Sequence, residues 1–331
     1  KSDIATCFVE RVLASTKDTT GTIGIVSPIT WLTLGNYRNL RKKILENSQL
    51  SVYACLGSGG FSGFTGWDLN VGLLIINNKQ DVFEDVYFSA IDISNTTGVS
   101  GKAIALRMDT VRLLSQKQQK NNPDSRVLTE QPSEGLLLSD ITQGGKGSTT
   151  GDGPNYLRLF SEYSHVLHQS IPWLNSPAEG QHWSGRSHLL RVPLTDASLV
   201  EEAGLMLRGQ ANWHRRGVAI RKTGSLVPFL YSGEVFDDNI GVFCPVNNAD
   251  SIAIYAYTLS GLYEQEVRKI DRALKVTAAT LVKVPFDLDR WTTIASLQFP
   301  NGLPEPYSDD PGQWLFHGHP LGSVVWDAAT K

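Results

Sequence analysis

Three stretches carry side chains that could do chemistry. Residues 208–222 read RGQANWHRRGVAIRK, with Arg208, Arg215, Arg216, Arg221 and Lys222 basic and no acid between Glu202 and Glu234. Such a local excess of cations could hold phosphates and set the register of a bound duplex. The alternation of Val218 and Ile220 predicts a strand ending at Arg221 and Lys222, and a charged strand end also serves to blunt a sheet edge. The second stretch, residues 146–156, reads KGSTTGDGPNY. Its glycines, the hydroxyls of Thr149 and Thr150, and the Lys146 amine could bring backbone N–H groups to a phosphate at Gly151. It lacks the frame of a Walker nucleotide loop. In the third, residues 161–207, Trp173, His182, Trp183, Arg186, His188 and Arg191 interleave aromatic and basic types. They could stack on bases or pack beneath neighbouring loops, and Trp213 extends that set.

Other candidates are thinner. Asp309-Asp310 and His317-Gly318-His319 lack a third ligand at a set spacing, so no metal is expected. Cys7, Cys55 and Cys244 are too scattered for a zinc motif or a disulfide framework and fit a reducing cytoplasm. Gly57-Ser58-Gly59-Gly60 is a glycine cluster of the kind that more often makes a plain turn.

The elements that must position these residues follow from periodicity. Apolar runs at Ile23–Val26, Leu50–Leu56 and Val71–Ile76 predict strands, and Leu34, Tyr37, Leu40, Ile44 and Leu45 predict a helix between the first two. Continuous apolar strands suggest a mostly parallel sheet covered on both faces. A further strand is expected over Val82–Ile91 and a helix over Gly101–Ser115. Ser2 or Asp3 should cap a first helix whose stripe is Ile4, Cys7, Phe8, Arg11 and Val12. The polar stretch 116–135, with two prolines, reads as the domain boundary. Tyr231–Asp237 reads as a hairpin, followed by a strand at Gly241–Pro245 and helices over Ile252–Leu259 and Tyr263–Leu274. Pro300, Pro304, Pro306 and Pro311 suggest an extended strap.

A hydrophobic content of 41% and net charge of −3 across 331 residues are ordinary for a two-domain globular protein. No run approaches the ~18 apolar residues of a membrane span. The overall charge does not by itself suggest a nucleic-acid binder, although a basic stripe can sit on a neutral protein.

Several motifs, in order, resemble the N6-adenine DNA methyltransferases of the type IIG/IIL restriction–modification and BREX phage-defence group. They are Asp3-Ile4-Ala5-Thr6-Cys7-Phe8, Gly24-Ile25-Val26-Ser27-Pro28 with Trp31, Tyr37-Arg38-Asn39-Leu40-Arg41, and Leu56-Gly57-Ser58-Gly59-Gly60-Phe61. Further along come the Gly147–Tyr156 loop, Trp213–Ile220, Tyr231–Asp237, Thr277–Phe286 as a closing strand, and the tail from Phe286 to Pro320.

The resemblance implies an α/β fold: the second half of a Rossmann-like methyltransferase sheet followed by an α+β target-recognition domain. On this reading residues 1–115 are methylase core, 116–135 linker, 136–286 recognition domain and 287–331 a Pro-rich strap. It implies double-stranded DNA as partner, with other restriction–modification or BREX components, and S-adenosyl-L-methionine as cofactor of a longer protein. The cofactor loop and the Asn/Asp-Pro-Pro-Tyr/Phe motif that orients an extruded adenine are not in this sequence, so no catalytic residue is expected here. Arg215, Arg216, Arg221 and Lys222 would contact phosphates or bases; Lys146, Thr149, Thr150 and Gly151 would lie nearer the extruded base, and Arg186 and Trp213 would join the interface. Two other readings stay open: a DNA-specificity module acting beside a separate methylase chain, and a small-molecule enzyme on a degenerate Rossmann half.

Overall fold

The computed structural model describes residues 3–16, 21–61, 69–78, 86–130, 135–159, 162, 171–177 and 182–305. The chain divides into two units, Lys1–Glu134 with Lys269–Ala273, and Gly135–Arg268 with Leu274–Lys331. Both are mixed α/β.

In the first unit, helix α1 (Ile4–Ser15) starts where the Asp3 carboxylate accepts the Thr6 N–H at 2.9 Å. Its face differs from expectation: Thr6 and Val9 are buried, while Ile4 and Phe8 are 76% and 64% exposed. The strands are β1 (Thr22–Pro28), β2 (Ser48–Gly57), β3 (Val71–Asn78), β4 (Tyr87–Asp92) and β5 (Arg112–Ser115), with helix α2 (Arg38–Asn47) before β2 and α3 (Val99–Met108) before β5. They form one sheet in the order β1-β3-β2-β4-β5.

The sheet is not mostly parallel. Only β2 and β4 run parallel; the other three pairings are antiparallel. Continuous apolar runs report burial, not direction. Direction is set by connections, and the one leaving β2 doubles back through Gly57 and Gly59, both at positive φ. Gly57 also lies so close to Ser94 that a Cβ there would stand 2.7 Å from the serine Cβ.

The helix expected over 101–115 ends at Met108, and residues 112–115 instead pair antiparallel with β4, with Leu114 buried opposite Phe88 and Leu113 exposed. Residues 82–85 of the expected strand lie outside the described residues. The core of this unit gathers Trp31, Ile44, Leu50, Tyr53, Leu74, Ile76 and Phe88.

The motifs that carry the resemblance build this scaffold. Trp31 donates its indole N–H to Ser27 Oγ at 2.9 Å, and the fully buried Arg41 guanidinium donates to the carbonyls of Trp31 (2.6 Å), Leu34 (2.7 Å) and Asp124 (2.8 Å). Burial, with Arg126 nearby, pulls the Arg41 pKa down to about 10.

The polar stretch after 115 is not a linker. The buried Gln116 side chain accepts the Leu50 N–H and donates to the Leu45 and Ser48 carbonyls, all within 2.9 Å. Gln119, Asn122 and Arg126 are buried in the same unit. Polarity misleads here because these side chains replace water for backbone groups inside the fold.

The second unit holds two four-stranded sheets. One runs β11-β10-β13-β6, from β6 (Thr142–Lys146), β10 (Gly217–Arg221), β11 (Pro228–Tyr231) and β13 (Ile240–Pro245); its pairings are antiparallel. The other runs β12-β8-β9-β7, from β7 (Leu157–Leu159), β8 (Ile171–Leu174), β9 (His188–Leu190) and β12 (Val235–Phe236). Tyr231–Asp237 is therefore no hairpin. β11 and β12 enter different sheets, and β12 pairs parallel with β8.

Helix α4 (Ser251–Leu259) packs on β10, β11 and helix α5 (Leu288–Gln298). Tyr257 binds this layer together, its ring 5.0 Å from Trp291, 5.3 Å from Tyr263 and 5.4 Å from Phe286. α5 stands where an extended strap was expected, begun by Asp287, whose carboxylate caps Arg290 N–H at 3.0 Å. Residues 277–286 form turns instead of a closing strand, with an isolated bridge at Leu137–Pro285 and Leu281 packed on Gly241 of β13. Pro306 to Lys331, including Asp309, Asp310, His317 and His319, lie outside the described residues. No helix among the described residues is long and apolar enough to cross a membrane.

Candidate nucleic-acid interface

The sheet β11-β10-β13-β6 brings Lys146 and Lys222 together, and the turn between β12 and β13 places Asp238 between them. Lys146 Nζ and Lys222 Nζ each lie 3.5 Å from Asp238 Oδ1, and Lys275 Nζ lies 3.2 Å from Oδ2. Three ammonium groups share one carboxylate, a local charge of 3 − 1 = +2. Burial alone would raise the Asp238 carboxyl, but the charge of Lys222 and the hydrogen bond from Lys275 outweigh it and hold its pKa below the ordinary value. Lys146 and Lys275 keep side-chain exposures of 52% and 43%, so their ammonium groups can reach a ligand in solvent.

Lys222 does not share that exposure. It is 3% exposed, and burial lowers its pKa against the pull of Asp238. It organises the cluster from beneath and leaves the expected contact set. Lys275 was missed by sequence reasoning. It comes within reach because residues 223 and 275 form an isolated bridge, a long-range pairing with no local signal.

The loop after Lys146 also departs from expectation. Ser148 N–H donates to Phe236 O (2.8 Å), Thr149 N–H to Met206 O (3.1 Å) and Gly151 N–H to Ala203 O (3.1 Å). Those amides are engaged inside the protein and do not form a phosphate cradle. The glycine at 147 is required by packing instead: a Cβ there would stand 2.1 Å from the Asp237 carbonyl oxygen. Thr149 Oγ1 is buried without a hydrogen-bond partner among the described residues, and Thr150 is half-buried.

The remaining candidates separate by exposure. Arg186 is 2% exposed; its Nε lies 2.5 Å from Glu234 Oε1, and NH2 donates to Leu230 O at 2.9 Å. It also lies over the Trp183 ring, 5.0 Å from the centroid. A guanidinium so enclosed holds the fold and has no surface to offer DNA. Arg215 ties β6 to β13, donating to Gln143 Oε1 (2.6 Å) and Pro245 O (2.9 Å). Arg221 donates to Ser225 O (3.1 Å) and Pro177 O (3.2 Å). Arg216, by contrast, has a side chain 70% exposed, with Glu305 at 3.9 Å.

Trp173 and Trp183 are core, and His182 and His188 are held as well: His188 Nδ1 lies 2.8 Å from Asn175 Nδ2, and His182 Nδ1 2.8 Å from Tyr255 Oη. Trp213 is half-buried, with its indole N–H unpartnered among the described residues. No group of three His, Cys, Asp or Glu that could hold a metal comes together among the described residues.

The first unit's charged groups near the ends of β2 and β4 are likewise engaged. Lys102 Nζ donates to the Leu56 and Ile93 carbonyls, and Asp92 pairs with Arg272 and Ser94. Burial would raise the Asp92 carboxyl, but Arg272 and Ser94 hold it well below the ordinary range. With Gly57 packed on Ser94, these residues do not fit an adenosyl cofactor.

No protein-family model matches the chain, and a comparison with curated proteins also gives no match. Solved structures are similar, two of them as follows. The Type IIL restriction–modification enzyme MmeI in complex with DNA matches with a TM-score of 0.54 at 10% identity, over 97% of this chain and 47% of its own. A nuclease-deletion mutant of the Type ISP restriction–modification enzyme LlaGI, in complex with a DNA substrate mimic, matches with a TM-score of 0.51 at 12% identity, over 91% of this chain and 32% of its own. The chain thus spans less than half the length of either enzyme and is similar in fold to part of each.

Proposed function

We propose that this chain is the DNA-reading part of a restriction–modification adenine N6-methyltransferase, joined to a portion of the methylase core. Its first unit would be the second half of a Rossmann-like sheet, and its second unit the target-recognition domain. The observation that carries this reading is the likeness of 97% of the chain to part of an enzyme solved on DNA. The exposed cations of the second unit support it. Lys146, Lys275 and Arg216 would hold phosphates. Arg215 and Arg221, each tied to backbone carbonyls, would shape the surface more than touch the duplex. Thr149, Thr150 and Gly151 would form the loop beside it. S-adenosyl-L-methionine and the groups that orient the extruded adenine would be held by residues outside this sequence.

The test is duplex binding across a salt series. Binding should weaken linearly in log–log form, because each phosphate neutralised releases counterions with a slope of about −0.9. Affinity that does not respond to salt, or no binding at low salt, would remove the reading. Labelled methyl should not pass from S-adenosyl-L-methionine to DNA with this chain alone; incorporation would show that methyl-transfer chemistry resides in it.

A further inference from the structure

The backbone around Asp238 is fixed from three directions. The Asp238 N–H donates to Ser148 O at 2.9 Å, the Lys222 N–H donates to Asn239 O at 2.9 Å, and the Ile240 N–H donates to Asp237 O at 3.0 Å. Gly147 presses on the same turn, where a Cβ would stand 2.8 Å from the Asp238 nitrogen. Lys275 is placed by the same lattice: Val276 N–H donates to Lys222 O at 2.9 Å, and residues 223 and 275 form a bridge. A short side chain on so fixed a backbone keeps its carboxylate among the three lysines.

Those lysines are not equivalent. Lys146 and Lys275 reach Asp238 through solvent, on exposed stems, and Lys275 Nζ has a second acceptor in Asn239 Oδ1 at 2.8 Å. Exposed ion pairs are weak, so both lysines can exchange the carboxylate for another anion at little cost. Lys222 has no such freedom. Its ammonium is buried against Asp238, and without that carboxylate it would be an unpaired charge out of water. When an anion approaches, Lys222 is therefore the partner that stays with Asp238.

The charge balance of the cluster follows. With Lys222 in place it is +2, and the carboxylate is already neutralised from beneath. Without Lys222 it falls to +1, and Asp238 retains one of the exposed lysines. Asp238 and a phosphate compete for the same ammonium groups, and Lys222 decides how many are left over.

We propose that Lys222 is a positioning residue for DNA: by neutralising Asp238 from beneath, it releases Lys146 and Lys275 to the phosphodiester backbone. The proposal rests on the DNA-binding reading above, and its test separates the two. Duplex binding across a salt series is measured on the full chain for wild type, Lys222→Met, Asp238→Asn and the double variant. Lys222→Met keeps the apolar stem and removes the charge. It should bind roughly tenfold more weakly at about 0.1 M salt, the counterion release of one phosphate contact, with a log–log slope shallower by about 1. The double variant restores the balance to +2 and should recover wild-type affinity and slope, although no lysine has been returned. Asp238→Asn alone should bind at least as tightly as wild type, and it carries the test should Lys222→Met fail to fold. A folded Lys222→Met protein with unchanged binding would make Lys222 purely structural. A double variant as weak as Lys222→Met, with a slope about 1 below that of Asp238→Asn, would make Lys222 itself a phosphate contact. Either result, or weaker binding by Asp238→Asn, would overturn the proposal and leave DNA binding standing. No binding by the wild-type chain would overturn both.

Discussion

The two units handle buried charge differently. In the first, Arg41 and Lys102 turn inward to backbone carbonyls, while Arg126 and Arg272 pair with the partly buried Asp124 and Asp92, each carboxylate serving its own arginine. Its exposed side chains include Ile104, Met108 and Leu113, at 63%, 79% and 66%. In the second, the buried cations Arg186 and Lys222 pair with acidic side chains, and Lys222 shares its carboxylate with two exposed lysines. Inward charge in the first unit stabilises a sheet; in the second it anchors a cationic surface. A run of arginines and lysines in sequence therefore does not say which of its members faces solvent.

The sharpest way to break this contrast is to remove an acid in the second unit. Glu234→Ala leaves Arg186 buried and unpaired and should cost roughly 3–5 kcal/mol. Denaturant unfolding followed with probes in each unit should show the loss in the second unit alone; equal loss in both would undo the division. Gly147→Ala comes next, at about 2–3 kcal/mol, because the added methyl meets the Asp237 carbonyl rather than a side chain that can move. A Gly147→Ala protein with unaltered unfolding midpoint would contradict that geometry.

In the first unit, Asp92→Ala should cost about 2 kcal/mol at neutral pH, from its hydrogen bonds with Arg272. The Asp92 pKa is depressed on folding, so its contribution is present above the unfolded value of about 3.9 and is lost as pH falls through the folded value. Acid unfolding of wild type and variant should therefore converge at low pH. The smallest effect on stability is expected for Lys146→Ala with Arg216→Ala, within about 0.5 kcal/mol for surface changes. The same pair should lower the DNA salt slope by ~2. A lower stability with an unchanged slope would place these residues in the fold and not at the interface.

Much of the fold was legible, and the losses have physical causes. The runs at Ile23, Leu50 and Val71 became strands within a few residues of their expected ends, because apolar periodicity reports burial directly. Strand direction was lost because it depends on connections such as the turn at Gly57. The polar stretch at Gln116 looked like a linker because side chains that satisfy buried backbone resemble side chains that face water. Of the site, Arg216 could be found from charge and local acid depletion and Lys146 from the glycine-rich loop it opens, and the structure leaves both exposed. Lys222 sits at the end of an apolar strand in sequence, yet its burial depends on Asp238 and on the residues around Lys275, which arrive from elsewhere. A cavity beside Trp213 could not be seen at all, since its walls come from four separate stretches, 171–173, 186–194, 213–214 and 232–235, of which the first and last meet where β8 pairs in parallel with β12.

Which unit meets a DNA duplex is measured directly by hydrogen exchange of the chain with and without that duplex. Protection on binding should appear in the second unit, around 142–151, 206–216 and 237–241, with the first unit's sheet unchanged. Duplex that binds but protects only the first unit, or leaves those three segments exchanging as before, would contradict DNA binding by the second unit.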